Sequence, residues 1–336
     1  MRLPLEKFLK EGILLLDGGQ GTELENRGIC ISHPLWSTLP FLTKDEKELK
    51  VIKEMYQDFV RAGSNTLMTI TYQSSYSSVK KNAGGLINTE EEYVAFLESI
   101  IEFTDRECTS SDEYLVGSVG PYATYLSNGS EYSGDYGKDK IDFIEYYRPQ
   151  VKTFARSPRI DLIGIETVPN INEFEALLSP AFAHLCSSKP YFISITTDAN
   201  GNLRDGTSLQ DICLTIEKAA PFFPPNFLFF SINCVEFAHC TKIMCSLNNC
   251  LDSLNVDRRF SFKGVYPNSG EIYHGDTHSW SKGLHAEDQR SWEDMAYQLL
   301  DQQCTMIGGC CRTGPKEIRE VYLAAKAYSD RGKFSG

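Results

Sequence analysis

The sequence predicts an α/β fold in which eight parallel strands close into a barrel. Short apolar, β-branched segments recur along the chain, and amphipathic segments with helical spacing separate them. Strands that are apolar on both faces are typical of a parallel sheet covered by helices, and eight strands close a (β/α)8 TIM barrel. A doubly wound open sheet is the alternative. The chain shows no internal repeat or linker, so residues 1–336 are predicted to form a single domain.

Each element has its own signal. The helix predicted at Glu48–Ala62 places Leu49, Ile52 and Tyr56 at helical spacing. The next begins with Thr89 and Glu92 in the positions of a capping box. The predicted strands are Ile13–Asp17, Asn65–Thr71, Leu115–Gly120, Asp161–Glu166, Tyr191–Thr196, Leu228–Cys234, Phe262–Tyr266 and Thr305–Gly309. The predicted helices are Glu48–Ala62, Thr89–Cys108, Ile141–Ala155, Asn172–Cys186, Ser208–Ala220, Glu236–Leu251, Ser291–Asp301 and Pro315–Tyr328.

Composition narrows the class of function. The net charge of −12 argues against nucleic acid as a partner, because surfaces that bind nucleic acid are basic. An acidic protein suits cationic or zwitterionic small molecules. The apolar run Ile13–Leu16 is too short for a secretory signal, and no stretch is long enough to cross a membrane. Eleven cysteines without an export signal predict reduced thiols and a cytoplasmic location.

Three cysteines form the strongest chemical signal. Cys234 ends one predicted strand, and the adjacent pair Cys310 and Cys311 follows another. In a barrel both strand ends reach the same rim, so three thiolates could bind one zinc ion and leave its fourth position open to a substrate. Gly308 and Gly309 would supply the backbone freedom that two adjacent ligands need. The alternatives are buried packing cysteines, which are common, and a redox pair of Cys310 and Cys311.

Two acidic positions follow other predicted strands. Asp17 precedes Gly18 and Gly19, so a carboxylate could accept from an ammonium group while exposed amides donate to a carboxylate. This pattern fits an amino-acid zwitterion, and a plain glycine-rich turn is the alternative. Glu166 closes an apolar strand and could bind the same ammonium, or it could pair with a buried arginine.

Two long segments follow strands and are predicted to lie over the C-terminal face of the barrel, where active sites are found. They are Tyr122–Lys140 and Pro267–Arg290, and each could be a lid or a surface excursion. The histidines of the second segment have no ligand spacing, and we expect them to face solvent. The polar stretch Tyr266–Glu271 has the composition of an ordinary turn.

Four motifs follow predicted strands at characteristic places in the chain. They are Asp17-Gly18-Gly19-x-Gly21-Thr22-Glu23, Glu166-Thr167-x-Pro169, Asn233-Cys234 and Gly308-Gly309-Cys310-Cys311-Arg312. Taken together, they resemble the homocysteine S-methyltransferase family, and their order and spacing agree along essentially the whole chain. Met68–Gln73 and Tyr266–Glu271 favour the branch that uses S-methylmethionine or S-adenosylmethionine.

The resemblance implies a zinc-dependent barrel that methylates the thiol of L-homocysteine to form methionine. Zinc would bind Cys234, Cys310 and Cys311. Alternative donors are betaine or a methylfolate, an alternative acceptor is selenocysteine, and a non-catalytic zinc- or thiol-binding protein is a further possibility. We expect a monomer or small homo-oligomer. Substrate-binding residues would be Asp17, Gly18, Gly19, Thr22, Glu166 and Asn233, with a possible donor site at Tyr72, Asn268 and Ser269.

Overall fold

A computed structural model describes residues 2–110, 112–274, 279–281 and 290–331. Eight parallel strands form one sheet in the order β1-β10-β7-β6-β5-β4-β3-β2, and β8 and β9 form a separate antiparallel hairpin. The strands are β1 (Leu14–Leu15), β2 (Thr66–Met68), β3 (Tyr114–Val119), β4 (Leu162–Val168), β5 (Tyr191–Ile195), β6 (Phe227–Glu236), β7 (Phe262–Asn268), β8 (Ile272–His274), β9 (Ser279–Ser281) and β10 (Met306–Ile307).

Asn65 connects the two ends of this sheet. Its backbone N–H donates to the carbonyl of Leu15 at 3.1 Å, and its side-chain oxygen accepts from the N–H of Leu15 at 2.9 Å. The side-chain amide also donates to the carbonyl of Ile13 at 2.9 Å. One asparagine therefore bridges β1 to the start of β2 and nearly closes the sheet. The predicted barrel is confirmed, and the open sheet is not.

Helices lie between the strands, as the amphipathic pattern predicts. The capping box of Thr89 and Glu92 is present, and Pro180 divides the segment that we predicted as one helix into α9 and α10. The helices are α1 (Leu5–Glu11), α2 (Gln20–Asn26), α3 (Leu39–Thr43), α4 (Glu46–Ala62), α5 (Tyr76–Asn82), α6 (Glu90–Phe103), α7 (Tyr122–Leu126), α8 (Phe143–Arg156), α9 (Ile171–Leu177), α10 (Pro180–Cys186), α11 (Leu209–Ala219), α12 (Cys240–Ser253), α13 (Trp292–Asp301) and α14 (Pro315–Asp330).

The core has two layers. The larger one packs between the strands and the helices, and the smaller one fills the barrel. Leu5 of α1 belongs to the inner layer, and the ring of Phe8 lies 5.1 Å from that of Tyr114. The helix α1 therefore covers the N-terminal end of the barrel. The C-terminal ends of the strands, which we call the mouth, remain for a functional site.

The two long segments contain structure of their own. Segment 122–140 includes α7 and a 3-10 turn at Ser130–Tyr132. In segment 267–290, the strand β7 extends to Asn268 and the β8–β9 hairpin follows. Half of the second predicted lid, including His278 and His285, lies outside the described residues. No described helix has both the length and the apolar character needed to cross a membrane.

Candidate metal centre and substrate site

Three cysteines converge at the mouth, as the sequence predicts. The sulfur atoms of Cys234, Cys310 and Cys311, which we call the thiol cluster, all lie within 4.8 Å of one another. The Cys311 sulfur is 3.9 Å from that of Cys234 and 4.0 Å from that of Cys310. Sulfur ligands of a tetrahedral zinc lie about 3.8 Å apart, because each Zn–S bond is about 2.3 Å long. The donor set and these two spacings therefore fit a zinc ion.

The third pair of sulfur atoms, those of Cys234 and Cys310, corrects the expectation that the thiols are reduced. Cys234 and Cys310 are joined by a disulfide, with their Cα atoms 5.6 Å apart. The prediction of reduced thiols is therefore wrong for these two, and the alternative of a redox pair between Cys310 and Cys311 is not the pairing that the structure shows. Sulfur atoms held close enough to share one metal are also close enough to bond to each other. The remaining nine cysteines form no disulfide.

A β-bulge directs Cys234 into the thiol cluster. The register between β6 and β7 shifts between Asn233 and Glu236, and Cys234 has a left-handed φ of 49°. A second shift interrupts the pairing of β4 with β5 between Ile165 and Val168, where Thr167 has a φ of 61°. Bulges of this kind redirect side chains at barrel rims. They explain how Cys234 and Glu166 reach the mouth from regular strands.

Close packing, rather than backbone freedom, explains the glycines before the cysteine pair. Neither Gly308 nor Gly309 has a positive φ. A Cβ atom at Gly308 would collide with Leu16, and one at Gly309 would collide with Thr313. Our explanation of these two glycines by conformational freedom was therefore wrong. They allow the cysteine loop to pack directly against the end of β1.

The segment after β7 supports the thiol cluster from its other side. The side-chain amide of Asn268 donates to the carbonyl of Cys234 at 3.2 Å, and the N–H of Ser269 donates to the carbonyl of Cys311 at 3.1 Å. Arg312 forms a salt bridge with Glu271 at 2.7 Å. Asn268 and Ser269, which we predicted as possible donor-site residues, thus connect the two cysteine-bearing segments.

Asp17 lies at the end of β1 with only 2% of its surface exposed. Its carboxylate accepts from the side-chain amide of Gln20 at 2.8 Å and from the N–H of Met68 at 3.2 Å. Burial raises the pKa of this carboxyl to about 7, although both hydrogen bonds lower it. A cation bound beside Asp17 would offset the cost of burying the charged carboxylate, and would therefore favour the charged form.

Glu166 is a second buried carboxyl at the mouth, 8% exposed. Burial raises its pKa to about 8, the hydrogen bond from the Ser118 hydroxyl lowers it, and the charge of Asp17 raises it further. The effect of the Asp17 charge on Glu166 indicates that the two carboxyls lie near each other. The hydroxyl of Tyr266 remains protonated beside them, because burial and then the charge of Glu166 raise its pKa. Two buried carboxyls close together suit a cation, and the ammonium site that we predicted here stays a prediction.

Asn233 is fully buried and satisfied within the protein. Its side-chain oxygen accepts from the N–H of Thr167 at 2.8 Å and from the Ser194 hydroxyl at 2.7 Å. Its amide donates to the Thr167 hydroxyl at 2.7 Å. The side chain therefore links the bulges of β4 and β6, and this arrangement favours a positioning role over the predicted contact with substrate.

Two further predicted substrate contacts are also engaged internally. The Gly19 N–H donates to the carbonyl of Thr313 at 2.9 Å, so it is not free for a substrate carboxylate. The Thr22 hydroxyl donates to the carbonyl of Gly19 at 3.1 Å and accepts from the N–H of Arg312 at 2.9 Å. Gly18 is packed against Thr313 and Phe59. These contacts join the loop after β1 to the cysteine loop after β10.

One important residue escaped the sequence analysis. The carboxylate of Glu173, on α9, is fully buried and accepts from the N–H of Tyr122 at 2.7 Å. It also accepts from the hydroxyls of Tyr147, at 2.7 Å, and Tyr136. Burial raises its pKa to about 7. Glu173 therefore fastens both ends of segment 122–136 to the barrel. Only the unusual number of tyrosines in that segment could have indicated such a partner.

The fold and the site define a class: a barrel with a three-thiol centre at its mouth. The family model for homocysteine S-methyltransferase matches residues 14–325. The chain is 40% identical to homocysteine S-methyltransferase 2 of Saccharomyces cerevisiae, over 98% of this chain and 99% of that protein. It is 33% identical to homocysteine S-methyltransferase of Escherichia coli, over 94% and 96% of the two chains.

Solved structures agree. The metallated form of the homocysteine methyltransferase MmuM from Escherichia coli superimposes with a TM-score of 0.71 at 27% identity, over 96% of this chain and 99% of that one. The oxidized form of the same protein superimposes with a TM-score of 0.71 at 28% identity, over 96% of this chain and 99% of that one. The protein belongs to the homocysteine S-methyltransferase family, and the family predicted from its motifs is confirmed.

Proposed function

We propose that this protein transfers a methyl group from S-methylmethionine or S-adenosylmethionine to the thiol of L-homocysteine, with zinc as its cofactor and methionine as the product. The observation that carries the proposal is the position of the thiol cluster beside the buried carboxyls Asp17 and Glu166 at the mouth. A sulfur-binding metal next to a cation site matches an amino acid that ends in a thiol.

Cys234, Cys310 and Cys311 would hold the zinc once the disulfide is reduced. Bound zinc would lower the pKa of the homocysteine thiol, which is about 8.5 when free, so that the thiolate is available at neutral pH. A reducing compartment such as the cytoplasm suits this site, since oxidation removes two of its ligands.

Asp17 and Glu166 would bind the ammonium group of homocysteine. Both carboxyls are costly to ionise in the free protein because they are buried, and an approaching ammonium favours their charged forms. Gly18 remains our proposal for a contact with the substrate carboxylate. Thr22, Gly19 and Asn233 support these groups through the internal hydrogen bonds described above.

The reaction forms one carbon–sulfur bond and breaks another. The homocysteine sulfur supplies the electron pair to the methyl carbon, and the donor sulfonium keeps the pair of the bond that breaks. The thiol proton is lost to solvent, and the donor leaves as a neutral thioether, so no acid is needed to protonate it. Tyr72 would line the donor side. Its pKa is raised above the ordinary value by burial and then by the charge of Glu131, so its hydroxyl stays neutral.

Loss of a single ligand tests the proposal. We expect the zinc-loaded, reduced protein to form methionine from homocysteine, with S-methylmethionine and S-adenosylmethionine compared at equal concentration. Cys311→Ala and Cys234→Ala should lose both zinc, measured by elemental analysis, and turnover. Cys245→Ala, which alters an exposed free cysteine on α12, is the matched control.

The results also distinguish the alternatives. Turnover by zinc-free protein, or by Cys311→Ala, would disprove the metal-dependent mechanism. Activity with betaine or a methylfolate alone would show that the donor is wrong. A non-catalytic thiol protein would bind zinc, but X-ray absorption would detect no additional sulfur at the metal when homocysteine is added.

A further inference from the structure

Two opposite charges at the mouth have no partner in the site described so far. Glu131 lies in the 3-10 turn Ser130–Tyr132, and Arg204 lies in the connection between β5 and α11. Both side chains are partly buried. Neither forms a salt bridge with a described residue, and the Nε atom of Arg204 is buried without a hydrogen-bond partner.

The loops that carry these charges pack against each other at the end of β4. Gly134 lies directly against the backbone of Asp205 and the carbonyl of Pro169. The N–H of Asp205 donates to the carbonyl of Pro169 at 3.2 Å, and the side chain of Asn170 donates to the carbonyl of Gly134 at 2.9 Å. Pro169 follows the strand that delivers Glu166. Glu131 and Arg204 are therefore held beside the same site.

The effects of these charges on nearby groups agree with this placement. The charge of Glu131 acts on Tyr72, whose pKa is raised by burial and then by this charge. Burial lowers the pKa of Arg204, and the charges of Asp198, then Tyr132, then Glu236, which lies two residues beyond Cys234, raise it. The two charges thus lie on the donor side of the thiol cluster.

The turn around Arg204 is fixed. Asp205 uses its carboxylate to accept from the N–H groups of Ile171, at 2.6 Å, and Thr207, at 2.9 Å. Leu203 pairs with Thr197, and its N–H donates to the carbonyl of Thr207 at 2.9 Å. The neighbouring carboxylate of Asp205 is therefore engaged elsewhere, and Arg204 forms no salt bridge with a described residue, although the charge of Asp198 acts on it.

Enclosing a charge without a partner is unfavourable, so a site that keeps two opposite ones suits a ligand that carries both. We propose that Arg204 binds the α-carboxylate, and Glu131 the α-ammonium, of the amino-acid end of the methyl donor. The forked guanidinium matches a carboxylate in geometry. This inference rests on the proposed function, in which Asp17 and Glu166 already bind homocysteine. It implies a second zwitterion site, one that betaine, without an N–H donor, cannot fill.

Truncated donors test this without any mutation. (3-Aminopropyl)dimethylsulfonium lacks the carboxylate of S-methylmethionine, and 4-dimethylsulfoniobutanoate lacks its ammonium. With the zinc-loaded enzyme, each should show a kcat/KM about 10-fold to 100-fold below that of S-methylmethionine, the size expected for a lost hydrogen bond to a charged group. An analogue that is used as well as S-methylmethionine overturns the assignment of the corresponding residue.

Two variants test which residue binds which charged group of the donor. Arg204→Gln should raise the KM for S-methylmethionine about 10-fold to 100-fold. It should leave the homocysteine KM unchanged and have no effect with the analogue that lacks a carboxylate. Glu131→Gln should behave in the same way with the analogue that lacks an ammonium. Arg156→Gln, at an exposed position on α8, is the control.

A rise in the homocysteine KM alone, or an equal loss of kcat/KM with every donor, overturns the inference. If Arg204→Gln does not fold, the truncated donors on the natural enzyme still decide. Failure of the natural enzyme to use any sulfonium donor would instead refute the proposed function.

Discussion

Asn233→Ala should weaken the protein and its metal centre together. The change removes the acceptor for the Thr167 N–H and the Ser194 hydroxyl, and the donor to the Thr167 hydroxyl. The two hydroxyls can rotate toward other partners, but the backbone N–H cannot. A buried polar group left without a partner costs about 1–3 kcal/mol, so we expect a loss of that size in the free energy of unfolding.

The loss should also displace the metal ligand. Thr167 and Cys234 both have a left-handed φ, at 61° and 49°, which costs a residue with a side chain about 1–2 kcal/mol. Without Asn233 the two bulges can relax toward extended backbone, and that would move Cys234 away from Cys311. We therefore expect weaker zinc binding by the folded variant.

Urea unfolding and competitive zinc titration of reduced protein measure the two effects. Adding Thr167→Gly should recover part of the unfolding free energy, since glycine adopts a left-handed φ without penalty. If Asn233→Ala lies within about 0.5 kcal/mol of the natural protein, the range of ordinary surface changes, and binds zinc normally, the reasoning fails.

Three other predictions concern the loops and the buried carboxyls. The pKa of Glu166 is raised to about 8, so the folded protein holds a proton that the unfolded chain releases, and stability should fall as pH rises from about 4.5 to 8. Glu166→Gln should reduce that slope in urea midpoints taken across this range; an unchanged slope would contradict it. Glu173→Gln should destabilise the protein by about 1–3 kcal/mol and speed limited proteolysis within residues 122–140, whereas Glu175→Gln, exposed on the same helix, should do neither. Equal proteolysis of the two variants would exclude the anchor. Gly19→Ala should abolish zinc binding because its Cβ would meet the Cys310 carbonyl, whereas Gly21→Ala would meet Trp36 at an ordinary 3.5 Å and should retain the metal. Zinc retained by Gly19→Ala would disprove this packing argument.

The barrel could be predicted because its signals are local. Each strand is apolar on both faces, and each helix repeats its apolar positions at a period that a short window reveals. Closure of the sheet is different. Near-closure involves three hydrogen bonds between Asn65 and the residues Ile13 and Leu15, and an isolated asparagine between a helix and a strand gives no sign of them.

The functional site likewise has a part that the sequence predicts and a part that it does not. Residue type and position at strand ends indicated the thiol cluster, Asp17 and Glu166, because topology brings the strand ends together. The direction of a side chain depends on bulges and on partners distant in sequence. Asn233 and Thr22 therefore looked like substrate contacts, although the structure engages them in internal hydrogen bonds. Glu173 was missed because its three partners come from another part of the chain.

The contact between the loops after β1 and β10 has a consequence for biosynthesis. The hydrogen bond from Arg312 to Thr22 spans 290 residues, which a ribosome needs about 15–60 s to add. Cys310 also emerges 76 residues later than Cys234. The nascent chain thus carries an incomplete set of ligands during most of translation. In the zinc site that we propose, metal loading is confined to chains in which residues near 313 have already been made. Of the three cysteines of the thiol cluster, a chaperone or reductant that acts before then meets only Cys234.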